Sequence, residues 1–189
     1  MRALLPTYMK EADIGEHFLI YFLAVFDVMR GQVQLPFIED VVGIIFNVFS
    51  QNISNLSVDG NASCTKLLDK FFRMLTLLVQ QSASNLKSTL KSMLTVVLSQ
   101  LSPLIMQTMI PDVLACFFEF LYQFLFNNFK YFFKRNGLIY SVQSPEQNET
   151  TEHEAEFLQI MSLYGASFCQ PDLNLFKQNL LALENLNFR

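Results

Sequence analysis

Apolar residues recur along this chain at helical spacing rather than in alternation. Phe18, Phe22, Val25, Phe26 and Met29 follow one another at steps of 4, 3, 1 and 3, which sets them on one face of a helix over about residues 10–29. Gly31 stops that helix. After the turn GQVQL, Pro36 stands where a first-turn proline belongs, and Phe37, Val41, Ile44, Ile45, Val48 and Phe49 carry the period on to a second helix ending near Ser50. So short a connection lays the two helices antiparallel. The stretch 51–63 is polar, contains Asp59-Gly60 and shows no apolar period, so it reads as a surface loop.

The pattern then repeats. Leu68, Phe71, Phe72, Leu75, Leu78 and Val79 predict a helix over 65–80, and Leu86, Leu90, Met93, Leu94, Val97, Leu98 and Leu101 predict its partner, with Ser84 placed to cap it. Pro103 interrupts that stripe. Pro111-Asp112 restarts it as what should be the longest helix, running to about Arg135, with Lys130, Lys134 and Arg135 complementing its dipole and Asn136-Gly137 closing it. Residues 136–153 hold Pro145 and the run EQNETTEHE and read as a mobile acidic linker. A last pair is expected at about 154–168 and 171–185, the second helix placing Leu173, Phe176, Leu180 and Leu183 on one stripe.

Antiparallel helix pairs with apolar residues on more than one face are what stacking on neighbours requires. The expected fold is therefore all-α, a HEAT-type helical-repeat solenoid, with residues 1–189 as one segment. A single helical bundle is the competing architecture. The stack is favoured because 113–133 is apolar nearly all round and neither end looks like a polar cap, as a piece of a longer array would have it.

Composition narrows the function. The chain has 20 phenylalanines, no tryptophan, and only six glycines and six prolines, too few turn residues for a many-stranded sheet. A formal net charge of −4 supplies no basic field to gather phosphates, which argues against nucleic acid. The apolar runs 17–29, 93–110 and 113–133 raise the question of a membrane-associated protein. Each is interrupted by costly groups: Asp27 in the first, Gln100, Pro103 and Gln107 in the second, and Glu119, Gln123, Asn127, Asn128 and Lys130 in the third.

Cys64, Cys116 and Cys169 are widely spaced with no CxxC pair, and read as buried thiols in a reducing compartment. Sequons at Asn52, Asn55, Asn61 and Asn148 point weakly toward secretion, but the start of the chain has no apolar signal core.

No catalytic constellation stands out. His17 lies near the start of the first helix. His153, within TEHEAE, lacks the second histidine four residues on that would put two imidazoles on one helical face for zinc. Glycine-rich phosphate loops and the Gly-x-Ser-x-Gly elbow do not occur, and Gly165 is isolated in a helical pattern. The carboxylates Glu146, Glu149, Glu152, Glu154 and Glu156 read as a solvated charge run, and the aromatic density of 117–133 as core rather than a stacking platform. No enzyme, metal site or cofactor is expected, and no individual partner-binding residue can be singled out.

Three segments carry a specific resemblance: AVFDVMRGQVQLPFIEDVVGIIFNVF at 24–49, FNNFKYFFK at 126–134, and FCQPDLNLFKQNLLALENLN at 168–187. Together they resemble the carboxy-terminal part of the exportin 6 family, within the importin-β-like karyopherins. The resemblance implies a HEAT-repeat nuclear export receptor that shuttles between nucleus and cytoplasm. It implies actin with profilin as protein cargo, Ran in its GTP state as co-ligand, and contact with FG nucleoporins. Nothing in this chain resembles the amino-terminal repeats that hold the principal Ran-binding surface of such receptors. A helical-repeat scaffold without a transport role is the alternative.

Overall fold

The computed structural model describes residues 12–28, 40, 43–45, 47–48, 62–81, 87–134, 150–151 and 153–187. Helix α1 is Ala12–Val28, α2 Ala62–Gln81 and α3 Lys87–Val96. A π-helical turn, Val97–Leu101, joins α3 to α4, Ser102–Thr108. Then come α5, Pro111–Asn127, the single turn α6, Phe129–Phe132, and the two-residue strand β1, Phe133–Lys134. The strand β2, Thr150–Thr151, pairs antiparallel with β1, Phe133 opposite Thr151 and Lys134 opposite Thr150. Helices α7, Glu154–Ser167, and α8, Leu173–Asn187, complete the order. Residues 43–45 and 47–48 are helical, with Ile45 and Val48 buried, where the second predicted helix falls. The fold is all-α in its packing.

Helix α2 packs between α1 and α5, and α5 in turn packs against α8, so four helices stand side by side. The turn at Val97–Leu101 and α7 meet behind this row. That arrangement explains why α5 is apolar on more than one side. Its Phe117 and Phe120 rings lie 5.6 and 6.0 Å from Phe72 of α2, while Phe118 lies 5.1 Å from Tyr164 of α7, all of them buried. Each such ring contributes roughly 1.5–3 kcal/mol by leaving water, and edge-on aromatic pairs add roughly 0.5–1.5 kcal/mol.

Pro103 does not end its helix. It lacks the N–H that the ladder needs and its ring crowds the preceding turn, so the helix widens: the Ser102 N–H reaches back to the Val97 carbonyl instead of to Leu98. The ladder resumes through Thr108 and closes at Met109, whose φ of 55° reverses the chain. Hydroxyls line this bend, with Thr95 donating to the Lys91 carbonyl at 2.9 Å, Ser99 to Thr95, and Ser102 to Leu98 at 2.8 Å. Such back-bonding bends helices.

Several boundaries depart from the expectations. Helix α2, at 20 residues, is longer than α5, at 17. The α5 helix ends at Asn127 rather than near Arg135, because Asn128 leaves helical geometry (φ −122°, ψ 34°) and is buried. This lets Phe132 turn inward between Phe124 and Phe157, at 5.9 and 5.8 Å. Lys130 therefore lies beyond the end of α5. Helix α2 starts at Ala62, inside the stretch read as loop. Ser84, Asn136-Gly137 and most of the expected linker lie outside the described residues.

The last helix differs in which face it buries. Leu175, Asn179 and Ala182 point into the core, whereas Leu173, Phe176 and Leu180 of the predicted stripe are exposed. Only Leu183 of that stripe packs partly against the core. Both sets keep helical spacing, so α8 carries two apolar faces and the described packing uses one. Asp172 caps its start, the carboxylate Oδ1 accepting from the N–H groups of Asn174 and Leu175 at 2.8 and 3.1 Å.

Candidate functional site

A groove of about 680 Å³ runs across the row α1, α2, α5 and α8. Its apolar lining is Leu23 and Ala24 of α1, Leu77 of α2 and Ala115 of α5. Its polar lining is Asp27, Arg73, Thr76, Cys116, Glu119 and Gln178. Side chains from four helices converge here only because the row stacks in that order. A volume of this size holds one or two large side chains of a partner.

Hydrogen bonds fix the walls. Gln178 Nε2 donates to the Ala115 carbonyl at 3.0 Å, tying α8 to α5. Glu119 Oε1 accepts from Gln123 Nε2 at 2.9 Å, and Gln123 in turn accepts from Asn127 Nδ2, through its side-chain oxygen at 3.0 Å and its carbonyl at 2.8 Å. On α2, Asp69 accepts from Arg73 Nε at 3.0 Å and from Lys70 Nζ at 2.9 Å. Across the α2–α5 seam, the Cys116 thiol donates to Asp69 Oδ1 at 3.0 Å.

Burial pushes the Asp69 carboxyl up, but the hydrogen bonds from Cys116, Lys70 and Arg73 outweigh it and hold the group below its ordinary range. The Cys116 thiol moves the other way. Burial raises it first, and its bond to the charged Asp69 raises it further, to about 11. The pair thus has the inverse of a nucleophile's electrostatics: the thiol stays protonated and serves as a donor.

The histidines and cysteines fall elsewhere or behave differently from expectation. His17 Nδ1 lies 2.7 Å from the Asp13 carbonyl on the exposed side of α1. The His153 ring stacks on Tyr131, with centroids 4.0 Å apart and planes 3° from parallel, and Nδ1 lies 3.5 Å from Glu156 Oε1. The stack holds the entry to α7 against the turn after α5. Of the three free thiols only Cys64 is buried; Cys116 is half-buried and Cys169 is exposed, which corrects the reading of all three as buried. Cys169 lies just past the end of α7, which closes at Ser167.

Glu154 and Glu156 lie in the first turn of α7, the first exposed and the second half-buried, while Glu146, Glu149 and Glu152 lie outside the described residues. Among the described residues no three metal-binding side chains cluster, and no helix is long and apolar enough to cross a membrane. The carboxylates Asp27 and Glu119 were visible in the sequence only as polar interruptions of apolar runs. Their shared groove depends on the stacking order.

Helix pairs stacked around a continuous core define an all-α helical-repeat protein. Comparison with known proteins places the chain more closely. A family model described as the carboxy-terminal TPR repeats of exportin-6 matches residues 125–189, from the end of α5 through α8. Exportin-6-B of Xenopus laevis is 37% identical over 187 residues, covering 98% of this chain and 16% of that protein. Exportin-6 of Homo sapiens is 36% identical over the same coverage, and exportin-6 of Dictyostelium discoideum is 27% identical over 186 residues, 97% of this chain and 16% of the relative. No solved structure matches. The chain is homologous to exportin-6 along nearly its whole length, as the three quoted segments implied, and spans 16% of the relatives it matches. The family model names its repeats TPR where HEAT-type pairs were expected; both are stacked antiparallel helix pairs.

Proposed function

We propose that this chain is a repeat segment of a nuclear export receptor, one continuous part of a longer solenoid, which binds protein partners and catalyses no reaction. The observation that carries the reading is the 36–37% identity to exportin-6 over 98% of the chain. The four-helix groove supports it, because a row of packed helices offers protein partners a surface that no single helix has. In the complete receptor the cargo is actin with profilin, Ran-GTP is the co-ligand, FG nucleoporins are touched during passage, and the receptor shuttles between nucleus and cytoplasm.

The physical logic is linkage. A stack held by nearest-neighbour contacts flexes at small cost per repeat, so cargo and Ran-GTP that favour the same curvature strengthen each other's binding. GTP hydrolysis removes the shared preference. The test is a hybrid of Homo sapiens exportin-6 in which the homologous span is replaced by this chain. The hybrid is expected to capture profilin–actin in the presence of GTP-loaded Ran and to release it when Ran holds GDP. Loss of capture by a folded hybrid, with the unmodified receptor active beside it, would overturn the reading.

A further inference from the structure

The exposed face of α8 carries opposite charges at equal distances on either side of a leucine pair. Lys177 and Glu184 are separated by two turns of helix, about 10 Å along its axis, so they share a face. Their midpoint falls between Leu180 and Leu181, and all four side chains are exposed. Leu173 and Phe176 extend the apolar surface toward the start of the helix, where the Phe176 ring lies 5.2 Å from that of Phe168. Among the described residues, neither Lys177 nor Glu184 makes a side-chain hydrogen bond or an ion pair. The helix itself does not account for Glu184, which stands in the last turn, where the dipole disfavours a carboxylate, with no base beside it in that turn.

We propose that this face docks on the same face of a second copy of the chain, with the two α8 helices antiparallel about a two-fold axis at Leu180 and Leu181. Such an axis exchanges positions equally far on either side of it, so Lys177 of each copy comes level with Glu184 of the other, and Leu180 with Leu181. Both charges of both copies are then met, while the leucines leave water together. A parallel pair would set Lys177 against Lys177 and Glu184 against Glu184. One helix face offers less than the roughly 800 Å² per partner of a standard interface, so the dimer is weak and depends on concentration. The inference goes beyond the export reading and uses no property of the relatives.

The experiment is sedimentation equilibrium of the 189-residue chain over a concentration series at low salt, with helix content checked by circular dichroism. The parent is expected to dimerise. Lys177→Glu alone sets carboxylates against each other at both crossings, and Glu184→Lys alone does the same with ammonium groups. Each should weaken the dimer about tenfold or more, since two attractive pairs become repulsive. Mixing the two single variants in equal amounts, or combining both substitutions in one chain, restores opposite charges at both crossings and should restore association. Leu180→Gln should abolish it in every background. A parent that stays monomeric throughout would leave the face to a different neighbour and overturn the proposal. So would single variants that dimerise as the parent does, or a mixture and a double variant that stay as weak as the singles. Profilin–actin capture by the exportin-6 hybrid is measured separately and bears only on the export reading.

Discussion

Gln159 of α7 donates from Nε2 to the main-chain carbonyl of Leu98 at 3.0 Å, across 61 residues of sequence. That carbonyl is free because of Pro103. Once the Ser102 N–H bonds to Val97, the next N–H along the widened ladder would belong to residue 103, and proline has none. Two side chains replace it, Ser102 Oγ at 2.8 Å and Gln159 Nε2 at 3.0 Å. Either alone satisfies the carbonyl. Ser102→Ala and Gln159→Leu should therefore each cost about 1 kcal/mol, while the double variant leaves a buried acceptor bare and should cost about 1 kcal/mol more than their sum. Urea denaturation of the four proteins closes the cycle; strict additivity would mean that the two donors do not share the carbonyl's demand.

Tyr164 ties the two layers at a second point. Its ring packs on Phe118 and its hydroxyl donates to the Phe118 carbonyl at 3.1 Å, in the interior. Burial, with the nearby Glu119 and Tyr122 charges behind it, raises the phenol well above its usual range, so it remains a donor at every ordinary pH. Tyr164→Phe keeps the ring and removes the donor, and is expected to lower stability by about 1–2 kcal/mol, read as a shift of the urea midpoint with unchanged slope. No shift would mean that the hydroxyl is worth as much to water as to α5.

Helix positions were legible because the apolar period is strong: Phe22 and Phe26 of α1, Leu68, Phe71, Phe72, Leu75, Leu78 and Val79 of α2, and Phe117, Phe118, Phe120, Leu121, Phe124 and Leu125 of α5 all lie in the core. The break at Asn128 was not, because Phe129, Phe132 and Phe133 continue an apolar run through it, and only tertiary packing of Phe132 against Phe124 and Phe157 decides where the helix stops. On α8 periodicity allows two solutions, Leu173–Phe176–Leu180 or Leu175–Asn179–Ala182. A pattern count favours the more apolar stripe, whereas the buried set includes an asparagine that donates to Ser167 Oγ at 2.8 Å. The groove was illegible in a stronger sense. Asp27, Arg73, Glu119 and Gln178 lie on four separate helices, and nothing local in the sequence joins them.

The seam between Cys116 and Asp69 should give alkaline sensitivity. The thiol is raised in the folded chain to about 11 from an ordinary 9.0, so its contribution is fully present below pH 9 and is lost as pH climbs toward 11. Other groups titrate there too, so the comparison is with Cys116→Ser, which keeps a donor for Asp69 and removes this titration. The serine variant is expected to lose less stability than the parent between pH 8 and pH 11, measured by thermal unfolding at each pH. Equal losses would show that the thiol titrates as it does in the unfolded chain. Asp69 has the opposite sign: its lowered carboxyl contributes above its ordinary 3.8, and that contribution disappears as pH falls below this value.

The outward stripe of α8 separates an apolar residue that holds this packing together from one that does not. Leu173 and Leu180 are 62% and 43% exposed, whereas Leu175, between them in sequence, is 3% exposed. Replacing both exposed leucines by glutamine removes little buried surface and should change stability by less than about 0.5 kcal/mol. Leu175→Gln buries an amide where a hydrocarbon packed and should cost about 3 kcal/mol or more. If the double variant were instead as destabilised as Leu175→Gln, the stripe at 173, 176, 180 and 183 would be the core face of α8 and the helix would have to be turned about its axis. Sedimentation of the same proteins adds a second reading. The leucines form a continuous apolar surface with Phe176, so the parent should self-associate more strongly than the double variant at equal concentration.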